Sequence, residues 1–448
     1  MTFDMNRAHY LLARAKRLGA TSADLLFAEG EAFTASVRLG QVEKIKDARE
    51  KVVGMRIFVG RRQAMSATSD LADASLDGLV EDTLAMARVT ADDPDAGLPE
   101  REEFRLDLPD LGLWEPEPVD LTLDRRIDLA RETEAAALSS DARLTNSDGA
   151  EFGSSSSRIL FANSHGFRGE YAGATYGLSV VPIAAENGSM QRDHWYSVKR
   201  RFALLDSPES IGKEAARRTL RRLGARRVKT QRVPVVFDPE VSAGLIGQLA
   251  GAVSGYAIYK GASFLVNRLG EAIAAPGVTI IDDGTIPAGL GSKPFDGEGL
   301  PTRRTVVVEN GVLKSYLLDT YSARKLSLRS TGNATRGPAD APTVSPTNFY
   351  LEAGAVSPEE IVREIPDGFY VTELIGFGVN LVNGDYSRGA VGLWISGGEL
   401  AYPVEEVTIA GNLKEMLGSI TRIGNDLVFR GRIAAPTIRI DGLTVAGA

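Results

Sequence analysis

The chain alternates between two hydrophobic periods, and this alternation limits the folds that it can adopt. A helical spacing of apolar residues over 5–18 is followed by Gly19, which predicts a first helix with a C-terminal stop. Residues 23–69 then change to short runs with a period of two, separated by Gly30, Gly40 and Gly60. Such runs predict antiparallel strands joined by tight connections. A second helical stretch over 71–87 completes a unit of helices on a sheet.

The same order of patterns recurs after a proline- and acid-rich stretch over 92–118, which predicts a linker. A helical stretch over 121–138 precedes alternating strands over 143–198, and Pro208 opens a further helix with Ser207 as its N-cap. After a second joint at 224–231 the chain is rich in glycine and in strand patterns. Helices are predicted there near 239–253, 318–326 and 358–364, the last with a capping box between Ser357 and Glu360.

These patterns predict an α+β protein of three domains. We expect an N-terminal α+β domain over 1–110, a middle α+β domain over 118–226 and a C-terminal domain over 230–448. The first two domains place helices on antiparallel sheets, and the third is large, glycine-rich and mainly β. A chain of 448 residues is long enough to bury several cores of this kind.

Charge and composition exclude several classes of function. The formal net charge is −8, so no overall positive field attracts nucleic acid or anionic lipid, and neither is expected as a partner. No stretch reaches the ~18 apolar residues that a membrane span requires, and charged residues interrupt the apolar core that a signal peptide would need in residues 1–20. The absence of cysteine fits a reducing compartment, and we expect a cytoplasmic protein.

Basic residues concentrate where the helix that begins at Pro208 runs into the second joint. The set comprises Arg217, Arg218, Arg221, Arg222, Arg226, Arg227 and Lys229. It has two interpretations: a solvated helix face with cations near the C-terminal dipole, or a docking patch for an acidic partner. The solvated face is the simpler expectation.

A strand turns into a helix near residue 238, and this segment is the most informative in the C-terminal domain. Asp238 is placed to act as N-cap and Pro239 occupies the first helical turn. Val241, Leu245 and later apolar residues recur every four positions and predict a buried stripe, while glycines line another side of the helix.

From this segment onward the chain resembles the TldD/PmbA family, in its PmbA (TldE) branch. The resemblance extends in consistent order over nearly all of the C-terminal domain. The matching stretches are Phe237-Asp-Pro-Glu-Val, Ile281-Asp-Asp-Gly-Thr, Gly291-Ser-Lys-Pro-Phe-Asp-Gly-Glu-Gly, Leu317-Leu-Asp-Thr-Tyr-Ser-Ala-Arg-Lys-Leu, Ser330-Thr-Gly-Asn, Asn383-Gly-Asp-Tyr-Ser-Arg-Gly-Ala and Thr408-Ile-Ala-Gly-Asn-Leu. The N-terminal half matches the family in layout rather than in sharp motifs.

The resemblance implies a two-subunit cytoplasmic zinc peptidase that degrades or trims unstructured peptides. In that family the TldD-type subunit carries an HExxxH helix and a downstream cysteine ligand, and the PmbA-type subunit contributes structure and no metal. The resemblance therefore implies a heterodimer with a TldD-like, zinc-bearing paralogue. When that partner is absent, we expect a homodimer through the same surface.

The HExxxH helix can be placed on this chain in two registers. One puts its His, Glu and second His at Pro239, Glu240 and Gly244, and the other at Asp238, Pro239 and Ala243. Neither register supplies a pair of ligands, although a catalytic zinc takes three protein ligands from His, Cys and carboxylates. The chain has no cysteine, and its three histidines, at positions 9, 165 and 194, all precede the C-terminal domain. We therefore expect no catalytic residue, no metal ligand and no cofactor in this chain, and zinc in the partner.

Glu240 is the one residue of this degenerate motif that keeps a catalytic side-chain type. A glutamate beside a zinc-bound water can act as general base, but without a metal it has nothing to activate. An acidic residue in the first turn that complements the helix dipole is the expected role.

Two further groups are candidates for lining a peptide channel. The first is the acidic cluster of Asp282, Asp283, Asp296 and Glu298, which is flanked by glycines. The cluster also fits ordinary turns and caps, paired carboxylates for acid–base catalysis, or a site for a hard cation. The second is the loop with Asn383 and Asp385, whose glycine density suits the close approach of a peptide backbone to a sheet edge and lacks the spacing of a phosphate-binding loop.

Three functions remain open from the sequence. The first is the metal-free subunit of a TldD/PmbA zinc peptidase. The second is a self-sufficient hydrolase that uses the carboxylates at 282, 283, 296 and 298. The third is a non-enzymatic binding protein that modulates a gyrase or toxin system, as the family's older name "modulator of DNA gyrase" suggests.

Overall fold

The computed structural model describes residues 3–447, so the predicted domain bounds at 1 and 448 lie outside the described residues. None of the described helices is long and apolar enough to cross a membrane. The elements of the N-terminal half, in chain order, are α1 (Met5–Arg17), β1 (Ser22–Arg38), β2 (Gln41–Val59), β3 (Arg62–Thr68), α2 (Asp73–Val89), α3 (Leu123–Leu138), β4 (Leu144–Asn163), β5 (Arg168–Glu186), β6 (Ser189–Arg192), β7 (Trp195–Lys199) and α4 (Pro208–Leu220).

One antiparallel sheet contains every strand of this half. Its order is β3-β2-β1-β4-β5-β6, and β7 also pairs with β5. The central pairing joins β1 to β4, from Asp24 opposite Asn163 to Val37 opposite Ala150. The predicted domains 1–110 and 118–226 therefore contribute strands to a single continuous sheet.

Two pairs of helices, α1 with α2 and α3 with α4, lie on the same face of this sheet. Leu25 and Phe27 of β1 belong to the core under α1 and α2, and Ala35 and Val37 of the same strand belong to the core under α3 and α4. Since side chains alternate between the two faces of a strand, these odd-numbered residues point to one side. A stretch of the same face around Phe33 lies between the two helix pairs.

The C-terminal half is mainly β, as predicted. Its elements are β8 (Gln231–Phe237), α5 (Pro239–Ala252), α6 (Gly255–Tyr259), β9 (Ile280–Asp283), β10 (Arg304–Glu309), β11 (Val312–Leu313), α7 (Thr320–Lys325), β12 (Ala334–Thr335), β13 (Thr343–Val344), β14 (Phe349–Leu351), α8 (Pro358–Arg363), β15 (Asp367–Ile375), β16 (Asp385–Ser396), β17 (Glu399–Asn412), α9 (Leu413–Gly418), β18 (Ile420–Ile423), β19 (Ile433–Ala434) and β20 (Ile438–Ala446).

A barrel forms the centre of this half. The strand order β17-β16-β15-β8-β20 closes on itself through an additional pairing of β17 with β20, and β18 extends from β20. Within the barrel β8 and β15 run parallel, while β8 and β20 are antiparallel. A second sheet, of order β11-β10-β9-β14-β19, packs into the same apolar core as the barrel and α5. The α+β fold class with a mainly-β C-terminal region is confirmed.

The helix caps follow the local sequence. Ser207 caps α4, Asp238 caps α5, and Ser357 and Glu360 form the predicted capping box of α8. The short helices α6 and α9 were not predicted. Unlike α7 and α8, which are about as short, neither begins with a capping box.

Candidate functional site

Asp238, at the N-terminus of α5, is held by the barrel and by the arginine-rich helix α4. Its Oδ1 accepts a hydrogen bond from the backbone N–H of Glu240 at 3.2 Å, and its Oδ2 accepts one from the hydroxyl of Tyr370 at 3.2 Å. A guanidinium nitrogen of Arg218 lies 3.8 Å from the same Oδ2. Burial, followed by the adjacent Asp238 carboxylate, raises the pKa of Tyr370 above its ordinary value. Asp238 thus caps α5 and also contacts Tyr370 of β15 and Arg218 of α4.

Glu240 is bound on both carboxylate oxygens. Nε of Arg430 lies 2.9 Å from Oε1, and the hydroxyl of Tyr196, from β7, donates to Oε2 at 2.8 Å. Burial, together with the neighbouring Glu240 carboxylate, raises the pKa of Tyr196 above its ordinary value. Glu240 therefore stabilises the contact between the middle strands and α5, in addition to complementing the helix dipole.

The other two positions of the degenerate motif offer no ligand atom. Ala243 is partly exposed and Gly244 is exposed, and a Cβ added at Gly244 would meet nothing within 4 Å. Within residues 3–447 no group of three or more His, Cys, Asp or Glu side chains is arranged to hold a metal ion. The zinc that the family implies does not fit this helix, because Asp238 and Glu240 already face guanidinium groups and α5 itself contains no histidine or cysteine.

The arginines around this helix are the feature that sequence reasoning missed. Arg218 and Arg222 were expected on a solvated face, and that expectation is wrong for both, since they are 3% and 9% exposed. Arg222 forms an ion pair with Glu373 of β15 at 2.6 Å, and both arginines approach Asp193. Their spacing of four residues, about one helical turn, was the available signal, because the turn that follows α4 keeps Arg222 on the same side as Arg218.

In the acidic cluster, Asp282 and Asp283 at the end of β9 organise the loops that surround them. Asp282 is 1% exposed and accepts hydrogen bonds from the backbone N–H and hydroxyl of Thr347 and from the side-chain amide of Asn333, at 2.6 to 2.9 Å. Burial raises its pKa to about 6. Asp283 accepts from the backbone N–H and hydroxyl of Thr285 and so closes a local turn.

Asp296 and Glu298, the other half of the cluster, are equally enclosed. Asp296 accepts from the backbone N–H groups of Glu298, Leu300 and Ala334 at 2.9 to 3.0 Å. Burial, followed by the Glu298 carboxylate, raises its pKa, and burial lowers the pKa of the neighbouring Lys293, whose Nζ donates to the carbonyl of Ala334 at 2.8 Å. These carboxylates bind backbone groups in turns, and at 1–9% exposure the four cluster residues are buried in this chain.

Glu298 also connects the two halves of the molecule. Its Oε2 accepts from the backbone N–H of Thr320 at the start of α7, and its Oε1 lies 3.4 Å from a guanidinium nitrogen of Arg56 in β2. Arg56 in turn donates to Asp24 of β1 at 2.6 and 2.9 Å, and Arg336 donates to the other oxygen of Asp24 at 2.8 Å. This buried network of two arginines and two carboxylates joins the sheet to the C-terminal domain.

Asn383 and Asp385 lie in a different place and are exposed. Their side chains hydrogen-bond each other at 2.6 Å, and Asn412 donates to Oδ1 of Asp385 at 3.2 Å. The same loop reaches the C-terminal end of α5, where Leu381 would lie 3.1 Å from a Cβ at Gly251. Because α5 has 14 residues at ~1.5 Å each, about 20 Å separates this loop from the degenerate motif.

The three histidines are dispersed over the N-terminal half. His9 is exposed on α1, and Nδ1 of His165 lies 2.9 Å from the carbonyl of Pro99. His194 is exposed and stacks on Tyr196, with ring centroids 6.0 Å apart. His194 is therefore near the N-terminus of α5, which its position in the sequence did not suggest, but no second imidazole or thiolate within the described chain joins it there.

Comparisons with known proteins cover almost the whole chain. Residues 23–87, 116–223 and 230–447 match the models of domain 1, the central domain and the C-terminal domain of the PmbA/TldA metallopeptidases. The protein named metalloprotease PmbA from Escherichia coli O157:H7 is 38% identical over 425 residues, covering 95% of this chain and 92% of its own length.

Two solved structures share the fold over nearly their full lengths. A protein from Bacteroides thetaiotaomicron, described as a proposed modulator of DNA gyrase, superposes with a TM-score of 0.92 at 26% identity and covers 100% of both chains. TldE from Thermococcus kodakarensis superposes with a TM-score of 0.87 at 23% identity, covering 98% of this chain and 99% of its own, which shows a common fold.

Proposed function

The chain belongs to the PmbA/TldD metallopeptidase family, and from that premise we propose that it is the PmbA/TldE-type subunit of a two-subunit zinc peptidase. The complex processes or degrades unstructured peptides. Zinc and the catalytic residues belong to a TldD-like paralogue, and this chain supplies the rest of the peptide-binding enclosure. The chain works without a metal of its own.

The N-terminus of α5 is the observation that carries this proposal. At the positions where the family's active subunit has its zinc-binding helix, Asp238 and Glu240 face Arg218 and Arg430. A divalent cation placed there would meet two guanidinium charges at close range, and the nearby imidazole of His194 has no second His or Cys ligand beside it among the described residues. The chemistry of these positions supports a structural role.

The proposed partners follow from the same assignment. With the paralogue present, the chain forms a heterodimer, and without it a homodimer through the same surface. The ligands are unfolded peptides, while the net charge of −8 argues against nucleic acid and anionic membranes. The proposed location is the cytoplasm.

Reconstitution tests the proposal directly. The chain is purified alone and together with a TldD-like paralogue encoded in the same genome, and each sample is tested for zinc content and for cleavage of an unstructured peptide. We expect co-purification, zinc in the pair alone, and cleavage by the pair that a chelator abolishes. Stoichiometric zinc with chelator-sensitive cleavage by the single chain would overturn the proposal.

A variant of Glu240 separates a structural from a catalytic role. In the reconstituted pair, Glu240→Gln removes the carboxylate charge and keeps the shape, so we expect kcat to stay within about twofold, since loss of a catalytic base costs on the order of 100-fold or more. The matched control changes the glutamate of the partner's HExxxH motif to Gln and should abolish cleavage. A loss of kcat in both variants would make Glu240 part of the active site.

One observation favours a second candidate, a hydrolase that uses its own carboxylates. Burial raises the pKa of both Asp282 and Asp296, as in many acid–base catalysts. Both side chains are already saturated with hydrogen bonds from the chain itself, so we expect no peptide turnover by the chain alone. Turnover that Asp296→Asn or Glu298→Gln abolishes would support this second candidate over the first.

A further inference from the structure

A cleft of about 310 Å³ opens on the sheet between the two helix pairs. Two rows of side chains, each crossing four neighbouring strands, form its floor on the helix-bearing face. The rows are Asp47, Phe33, Ser154 and Tyr176, and Arg49, Glu31, Ser156 and Ala174, on β2, β1, β4 and β5 in that order. The cleft exists because α1 and α2 cover one end of this face, α3 and α4 cover the other, and neither pair reaches the middle.

The wall of the cleft comes from the segment between α2 and α3 and from α3 itself. Trp114 is 51% exposed and lines the opening beside Glu115 and Glu117. The guanidinium of Arg126 lies 4.6 Å above the ring of Phe33 and is paired with Glu117 at 2.5 Å. Aromatic and acidic side chains therefore line both the wall and the floor of the cleft.

The charges of the cleft leave one carboxylate without a partner. Four carboxylates and two guanidiniums line it. Arg49 pairs with Glu31 and Arg126 with Glu117, and Glu115 pairs with Arg201 outside the cleft. Within residues 3–447, Asp47 has no ion pair, and the cleft carries a net negative charge.

Tyr176 gives independent evidence for a ligand. The residue is 3% exposed and lines the cleft, yet its hydroxyl has no hydrogen-bond partner in the part of the chain that the structure describes. Burial, followed by the carboxylates of Glu117 and Glu115, raises its pKa, so the hydroxyl keeps its proton at neutral pH. The hydroxyl oxygen itself is not enclosed, so it is open to the cleft, and a ligand there can take the place of water as its hydrogen-bond partner.

We propose that this cleft binds the lysine or arginine side chain of an extended peptide. Asp47 supplies the unpaired negative charge, the half-exposed Trp114 supplies aromatic surface for the cation and its aliphatic stem, and the Tyr176 hydroxyl supplies a hydrogen-bond acceptor. The proposal rests on the proposed function in one respect, namely that the ligand is a peptide.

The edge of the sheet argues for a peptide over a free amine. β3 pairs only with Val53–Val59, so the stretch of β2 over 41–52 has β1 as its only paired neighbour among the described strands. Its outer backbone groups are available next to Asp47, and an extended segment can add to such an edge while one side chain enters the cleft.

Binding to the purified chain alone tests the proposal. The probes are two flexible Gly/Ser peptides that differ in one central residue, lysine or norleucine, and titration calorimetry gives Kd for each. We expect the lysine peptide to bind about fivefold more tightly or better. Equal affinity for the two peptides, or equal affinity for the lysine peptide and for free butylamine, would overturn it.

Three variants locate the binding site. Asp47→Asn should remove most of the preference for lysine, and Tyr176→Phe should weaken binding by about threefold. Glu50→Gln, on the opposite face of the same strand, is the matched control and should leave Kd unchanged. The proposed binding site is refuted if Asp47→Asn and Glu50→Gln have the same Kd for the lysine peptide while both proteins keep the melting temperature of the unmodified chain.

The outcome is separable from that of the proposed function. Selective binding is measured on one chain without turnover, whereas the proposed function is measured as cleavage by the pair. If the pair cleaves peptide but the single chain shows no preference for lysine, the proposed binding site is refuted and the proposed function is not. Lysine-selective binding with no cleavage by the pair supports the cleft and refutes the peptidase assignment.

Discussion

At the scale of single residues, burial decides what the conspicuous carboxylates of the C-terminal domain do. The sequence offered turns, a peptide channel or acid–base catalysis for Asp282, Asp283, Asp296 and Glu298. Asp283 and Asp296 each have backbone partners within four residues, so the turns at these two positions could be predicted. The partners of Asp282 come from positions 51 and 65 residues further along the chain, beyond what a local pattern can indicate. The channel-lining role of the cluster, and that of Asn383 and Asp385, stays a prediction.

The raised pKa of Asp282 leads to a pH dependence of stability. Burial raises the pKa of Asp282 from its ordinary value of 3.8 to about 6. Its stabilising contribution is therefore fully present below pH 3.8 and is lost as the pH rises through 6, which amounts to about 3 kcal/mol. Asp282→Asn keeps the shape and does not ionise, so the fall in unfolding free energy between pH 4.5 and 7.5 should shrink by about 2 kcal/mol in urea titrations, the part of this contribution that is lost within that pH range. Asp120→Asn, on the surface, is the control, and an unchanged fall in Asp282→Asn would contradict the expectation.

At the scale of elements, local signals were predictable and pairings were not. Caps such as Asp238 and Ser357 depend on neighbours within four residues, so the helix starts follow from the sequence. The pairing of β1 with β4 joins residues as far apart as Asp24 and Asn163, and no period in the sequence specifies it. For the same reason Arg218 could not be assigned to Asp193 and Asp238, which belong to different halves of the chain.

Gly54 in β2 provides a test of how closely the C-terminal domain packs on the sheet. A Cβ at this position would lie 1.6 Å from the carbonyl oxygen of Pro338, so one of the two backbones has to move. We expect Gly54→Ala to lower the free energy of unfolding by about 3 kcal/mol, measured by chemical denaturation. Gly30→Ala in β1 is the matched control, because its Cβ would meet Ser156 at 3.7 Å, an ordinary contact. Equal free energies of unfolding for the two variants would mean that the close approach of Pro338 to Gly54 does not affect stability.

At the scale of the whole molecule, the N-terminal sheet uses both of its faces. One face carries the two helix pairs, and the other packs against the C-terminal domain through Phe161, Phe167 and Phe295. The sequence predicted the mainly-β C-terminal region. It did not predict that one sheet would unite the first two domains, or that Asp24 and Arg336 would tie that sheet to the C-terminal domain, since both depend on contacts between residues more than 100 positions apart.

The buried network should therefore control how cooperatively the two halves unfold. The side chain of Arg336 is 2% exposed and forms an ion pair with Asp24. Arg56 forms ion pairs with the same Asp24 and with Glu298. Arg336→Met keeps much of the volume but leaves two carboxylates with one arginine, and breaking a buried pair on one side costs about 3 to 5 kcal/mol. We expect calorimetry to show a lower melting temperature and separate transitions for the two halves. The control is Arg304→Met, whose partner Glu352 is exposed, so its loss should cost below about 1 kcal/mol. If both variants melt alike and in one transition, the network does not couple the halves.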